Sequence, residues 1–164
     1  MKTLKYILIA LLLLTVQTPS LYADHSHGYA KAQDAYLSGD YQTAIHLWKE
    51  EAEKGELSAY EMLGSVYSSG KGVNQDYEEA AKWYQLAAYK GSTNAQYNIG
   101  KMYYEGLGLV RSLPDAYAWM LLSAAKGNVG AKKMLDIVFK QMTSSNIEKS
   151  QKVVFEIMQQ LSKQ

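Results

Sequence analysis

Between Asp76 and Gly91 the apolar positions fall at Ala80, Trp83, Tyr84, Ala87 and Ala88. Spacings of three and four lay these side chains along one stripe of a helix, with polar residues between them. Asp76 stands where a carboxylate accepts a hydrogen bond from a free first-turn N–H, and Glu78 and Glu79 follow at the positive end of the helix dipole. Lys90 lies in the last turn, and Gly91 is placed to take the left-handed conformation that ends a helix. Ser92 or Thr93 then restarts the chain as the cap of a second helix, whose inner face carries Ala95, Ile99 and Tyr103. The predicted unit is a pair of helices.

The pair recurs. Displacing the chain by 36 residues sets DYQTAIHLW (40–48) on DYEEAAKWY (76–84) and on SLPDAYAWM (112–120). Ala44, Ala80 and Ala116 coincide, as do Ala52, Ala88 and Ala124, then Gly55, Gly91 and Gly127. Ala59, Ala95 and Ala131 follow, then Leu63, Ile99 and Leu135, then Tyr67, Tyr103 and Phe139. A fixed period of this length marks an array of stacked helical units. Gly64 and Gly100 lie inside second helices, where glycine costs about 1 kcal/mol against alanine. Close approach of a neighbouring helix is the expected compensation.

Gly70-Lys71-Gly72 raises the question of a phosphate cradle. Such a site needs glycines after a strand and before a helix, with free N–H groups converging on an anion. Here the glycines follow a helix, recur as Gly106 and Gly108, and lack both a third glycine and a Gly-Lys-Ser/Thr ending. They read as turns, with Val73 and Leu109 tucking each loop onto the core.

On these residues the chain resembles the Sel1-like repeat family, relatives of the tetratricopeptide repeats. The resemblance rests on A-x-x-W-Y-x-x-A-A-x-x-G in Ala80–Gly91 and A-x-Y-x-I-G-x-x-Y-x-x-G-x-G in Ala95–Gly108, and it covers about residues 40–142. Tyr117-Ala118-Trp119 followed by Ala124-Ala125-Lys126-Gly127 is similar to the closing repeat of that family. The implied fold is all-α, a short right-handed solenoid of antiparallel helix pairs with about eight helices.

The expected organisation is a signal peptide (1–23), a tail and capping helix (24–39), repeats at 40–75, 76–111 and 112–142, and a C-terminal capping helix (143–164). The first cap is expected from about Gly28 to Ser38, joined through a short Ser-Gly-Asp turn. Asp136, Met142 and Ser144 replace the three glycines of the third copy, so the array should stop there. The last helix is expected to be capped by Ser144 or Ser145, with Ile147, Gln151, Val154, Met158 and Leu161 as its stripe.

Lys2 and Lys5 precede an apolar run, Tyr6 to Leu14, too short to span a bilayer comfortably; Pro19 and Ser20 break it and Ala23 offers a small residue for cleavage. An uncleaved anchor is the alternative. The reading is an exported chain, periplasmic or secreted, cut after Ala23 and not inserted in the membrane thereafter. No cysteine is present, so neither a lipid-anchored precursor nor a disulfide staple is available and apolar burial must stabilise the fold. Loss of Lys2 and Lys5 leaves 15 basic against 16 acidic residues with no basic run, which argues against nucleic acid and anionic lipid as partners.

Three patterns suggest chemistry. Ser123-Ala-Ala-Lys126 and Ser68-Ser-Gly-Lys71 fit the Ser-x-x-Lys of penicillin-recognising enzymes, but Ser-Asp-Asn and Lys-Thr-Gly are missing, and Ser123 and Lys126 occupy the positions of Ala87 and Lys90. Asp24-His25-Ser26-His27 at a new N-terminus would offer two imidazoles for weak copper or nickel binding. A solvated tail is the plainer reading. Trp48, Trp83 and Trp119 with the tyrosines resemble a base-stacking or sugar-binding set, but Trp83 and Trp119 align with Leu47, and Trp48 with Tyr84 and Met120, an interchange that core positions tolerate. Glu50, Glu51 and Glu53 read as a solvated helix face.

What remains is a binding scaffold without a cofactor, for an unnamed protein or peptide. In helical-hairpin arrays the first helices line the concave face. His46, Lys49, Lys82, Gln85, Tyr89 and Leu122 are the residues expected there that neither pack nor cap, with His46 assigned to solvent alongside its counterparts Lys82 and Ala118. The alternatives are a weak metal-binding or β-lactam-interacting envelope protein, and self-association through the last helix or an uncapped end.

Overall fold

The computed structural model describes residues 20–163. The apolar N-terminal run lies outside the described residues, as do the side chains of Asp24, His25 and His27. Eight helices and no strand occur among the described residues: α1 (Ser20–Ser38), α2 (Tyr41–Glu53), α3 (Leu57–Ser69), α4 (Tyr77–Tyr89), α5 (Thr93–Glu105), α6 (Leu113–Ala125), α7 (Val129–Phe139) and α8 (Ser144–Leu161). None of these is long and apolar enough to cross a membrane.

Helix boundaries follow from local chemistry. Asp40, Asp76 and Ser112 each accept a hydrogen bond from the backbone N–H three residues on, opening α2, α4 and α6. Ser92 and Asn128 do the same for α5 and α7. Gly70 and Gly106 end α3 and α5 in the left-handed region, at φ +70° and +73°. Each glycine loop is then closed by one bond: the Asp76 N–H donates to the Tyr67 carbonyl and the Ser112 N–H to the Tyr103 carbonyl, both at 2.9 Å.

Successive pairs join through small residues. Ala44, Ala59, Ala80, Ala87, Ala88, Ala95, Ala116 and Ala131 are wholly buried, so helix axes approach closely and larger side chains fill between them. A Cβ on Gly64 would stand 2.7 Å from the Tyr84 ring, and one on Gly100 would stand 2.9 Å from Met120 Cγ and 3.2 Å from the Ala116 carbonyl. Both glycines therefore seat the first helix of the next pair. Trp48 and Trp119 are core residues, and Trp83 stacks on Tyr60 at 5.9 Å.

Several expectations need correction. Helix α1 starts at Ser20, not near Gly28, and runs through the expected cleavage point. Gly28 is an interior glycine against which the Glu51 carboxylate packs, leaving no room for a Cβ. Glu51 is accordingly not part of a solvated face. It is 2% exposed, paired with Lys54 at 2.8 Å, with its second oxygen unpartnered among the described residues. Thr143, rather than Ser144 or Ser145, caps α8 by accepting the Asn146 N–H at 3.2 Å.

The inner face of α8 also differs. Ser150 and Ile157 are buried and Val153, Val154 and Leu161 half-buried, whereas Gln151 and Met158 are exposed. The reason is where the helix lies. It packs chiefly on α6 and more lightly on α4, both first helices of their pairs. Asp136, in the register of Gly64 and Gly100, is exposed with Lys132 and Lys133 beside it. The glycine that seats the next helix pair in the earlier copies is thus replaced by an exposed carboxylate, although Val129, Ile137 and Phe139 of the same helix are exposed as well.

Candidate functional site

Helix α4 presents Lys82, Gln85, Leu86 and Tyr89 around a shallow, mostly apolar depression of about 360 Å³. The i, i+3, i+4, i+7 spacing puts all four on one helical face. Three of them were expected from the sequence. Leu86, 48% exposed, was missed, although an apolar residue in the register of Glu50 signals it.

Each side chain has a defined setting. The Lys82 ammonium donates to Glu79 at 3.0 Å, and that bond raises its pKa above the ordinary lysine value. Burial raises the Tyr89 phenol above its ordinary value, opposed by hydrogen bonding to Gln85. The Tyr89 ring meets Trp119 edge-on at 5.1 Å, which fixes the floor of the depression to the core.

The other candidates are not gathered there. His46 is exposed on α2 and faces Glu50 at 3.4 Å, while the Lys49 ammonium lies 5.7 Å from the centre of the Tyr67 ring. Leu122 is half-buried in the core. The assignment of Ala118 to solvent is overturned: His46 and Lys82 are 74% and 68% exposed, but Ala118 in the same register is 0% exposed. Helix α8 packs on α6, and Ala118, Trp119 and Ile157 share one buried cluster. The switch from basic or imidazole side chains to alanine at 118 is the sequence signal for that cover.

The competing chemistries find their groups engaged elsewhere. The Ser123 hydroxyl is buried and donates to the Thr93 carbonyl at 2.7 Å, whereas Lys126 donates to the Gly91 carbonyl at 2.8 Å. Both side chains tie one pair to the next. In the Gly-Lys-Gly loop, the Gly70 and Lys71 N–H groups donate to the Val66 carbonyl, and the Lys71 ammonium lies 4.4 Å from the centre of the Tyr36 ring. No N–H pair of these two is left to cradle an anion.

Comparison with known proteins bears on the same geometry. The family model for the Sel1 repeat matches residues 57–92 and 93–128, each a helix, a glycine loop and the next helix. A Sel1 repeat protein from Oxalobacter formigenes has 36% sequence identity and a TM-score of 0.63, over 69% of this chain and 88% of that one. The chain belongs to the Sel1 repeat family. The family unit has the same 36-residue period as the helix pairs but a different phase, since it spans the close contact seated by Gly64 or Gly100.

A second Sel1-like structure is c5321, described as a protective antigen present in uropathogenic Escherichia coli strains and displaying an SLR fold. It has 25% identity and a TM-score of 0.77 over 84% of this chain. This Sel1 repeat chain spans 30% of the length of that protein. No curated protein matches the chain.

Proposed function

We propose that this Sel1 repeat chain is an exported scaffold that captures another protein or peptide on the concave face formed by α2, α4 and α6, without covalent chemistry. The observation that carries the reading is the α4 depression. It has an apolar floor of Leu86 and Tyr89 rimmed by Lys82 and Gln85, and this mix of aromatic anchor and polar rim suits protein recognition. His46 and Lys49 extend the face on α2. The engagement of Ser123 and Lys126 in joining repeats favours binding over hydrolysis. Export rests on the N-terminal run and places the mature chain, starting near Asp24, in the periplasm or outside the cell.

A photo-crosslinking side chain at position 85 tests this in cell-envelope extract, with the same group at position 101 on the second-helix side as control. Adducts from 85 alone are expected. Equal adducts from both positions, or none from 85, would reject the face. Mass spectrometry of the chain recovered from the envelope tests the cut after Ala23.

A further inference from the structure

We propose that α8 is a resident, displaceable occupant of the binding face, and that the partner is an amphipathic helix of the same pattern that replaces it. The inference rests on the reading of the first-helix face as the binding surface, and deepens it by naming the partner class and its regulation.

The repeat supplies an internal comparison. In the first two copies the face is open at His46 and Lys82, whereas in the third Ala118 is buried, in one cluster with Ile157 of α8. Helix α8 therefore lies where a ligand of this face would lie. It presents Ser150, Val153, Val154, Ile157 and Leu161 toward the core, at the spacings by which an amphipathic helix enters a groove. Tyr89 lines both the open depression on α4 and the seam beneath α8, so the two surfaces are continuous.

Its attachment is weak in three respects. Only Ser150 and Ile157 of this long helix are buried, against five in each of α2 to α5. Among the described residues, no hydrogen bond or ion pair links its side chains to another helix. Ser150 donates to the Ile147 carbonyl, Lys152 faces Glu156, and Ser162 donates to the Gln159 carbonyl. The seam is incompletely packed, with a cleft of about 110 Å³ open to one side and lined by Asp115 and Glu156 as well as Tyr89, Tyr103 and Trp119. An incompletely filled seam forfeits dispersion contacts.

The test uses the full chain and a fluorescent peptide of residues 143–164. In wild type, α8 amides should exchange about tenfold faster or more than α5 amides, as a locally opening unit does. Ile157→Asp should free the face and bind the peptide about tenfold more tightly than wild type, because a closed site lowers apparent affinity by its open fraction. Should Ile157→Asp fail to fold, Ile157→Ala serves in its place. Protection of α8 equal to that of α5 would overturn the proposal, as would a folded variant that takes up peptide no better than wild type. Exchange is read without any partner, so failure of the scaffold reading in crosslinking remains distinguishable.

Discussion

Gly108 lies so close to Tyr77 that a Cβ there would run into the Tyr77 carbonyl, and its φ is +65°. Two demands thus fall on one residue, a left-handed backbone and bare space. Gly127 has only the first, with φ +95° and open surroundings. Gly127→Ala should cost about 1–2 kcal/mol from backbone strain, and Gly108→Ala more. Urea midpoints of the two variants check the order; equal losses would show that the contact with Tyr77 contributes nothing.

Gly100 makes a different case, because its backbone is ordinary and only space is short. Gly100→Ala should destabilise by about 1–3 kcal/mol through overpacking, offset in part by the better helix propensity of alanine. The nearest atom is the flexible Met120 Cγ, while the Ala116 carbonyl behind it cannot yield. Combining Gly100→Ala with Met120→Ala should therefore recover part of the loss, with a coupling of about 0.5 kcal/mol or more. Additive losses would place the strain on the α6 backbone at Ala116 and Met120.

Binding and stability should separate on α4. Lys82 and Leu86 are well exposed, so Lys82→Ala and Leu86→Asp should stay within about 0.5 kcal/mol of wild type while reducing crosslinking from position 85. Tyr89→Ala should instead lower stability by about 2 kcal/mol, since it removes a ring packed on Trp119. Thermal melts alongside the crosslinking assay distinguish the two classes.

Alkaline pH should weaken the fold. Tyr29, Tyr84, Tyr89 and Tyr103 all have phenol pKa values raised above 10.0, with burial the largest cause in each. The unfolded chain releases these protons first, so the stability they contribute is full below pH 10 and is lost as pH rises through the folded values. For Tyr84 the shift is opposed by hydrogen bonding to Ser68 and Ser65. Tyr84→Phe should cost about 1 kcal/mol at neutral pH through those bonds and should flatten the decline above pH 10. A decline of unchanged slope would assign the effect to the other three tyrosines.

The fold was legible because its signals are local and repeated. Alanines at helical spacing, caps at Asp76 and Ser92 and paired loop glycines state the same unit again in each copy. Lys82, Gln85 and Tyr89 come from subtraction, as residues left once packing and capping positions are assigned, but the depression they share with Leu86 and the packing of Tyr89 on Trp119 are not legible in the sequence. What escaped depends on contacts distant in sequence. Glu51 looks like a surface acid until Gly28 packs on it, and Gly28 looks like a helix start until its neighbour is known. The inner face of α8 is set by docking on α6, so small Ser150 outranks larger Met158. Only the change at Ala118, where earlier copies carry His46 and Lys82, hinted at that position.

Asp136 bears on how large such an assembly can grow. Wherever this chain adds another helix pair, a bare backbone at the matching position receives it, and here a carboxylate stands instead. With Met142 and Ser144 in place of the two loop glycines, that carboxylate marks where the repeating pattern stops. Returning that aspartate to glycine, with an extra unit grafted behind it, is the route by which the array would be lengthened.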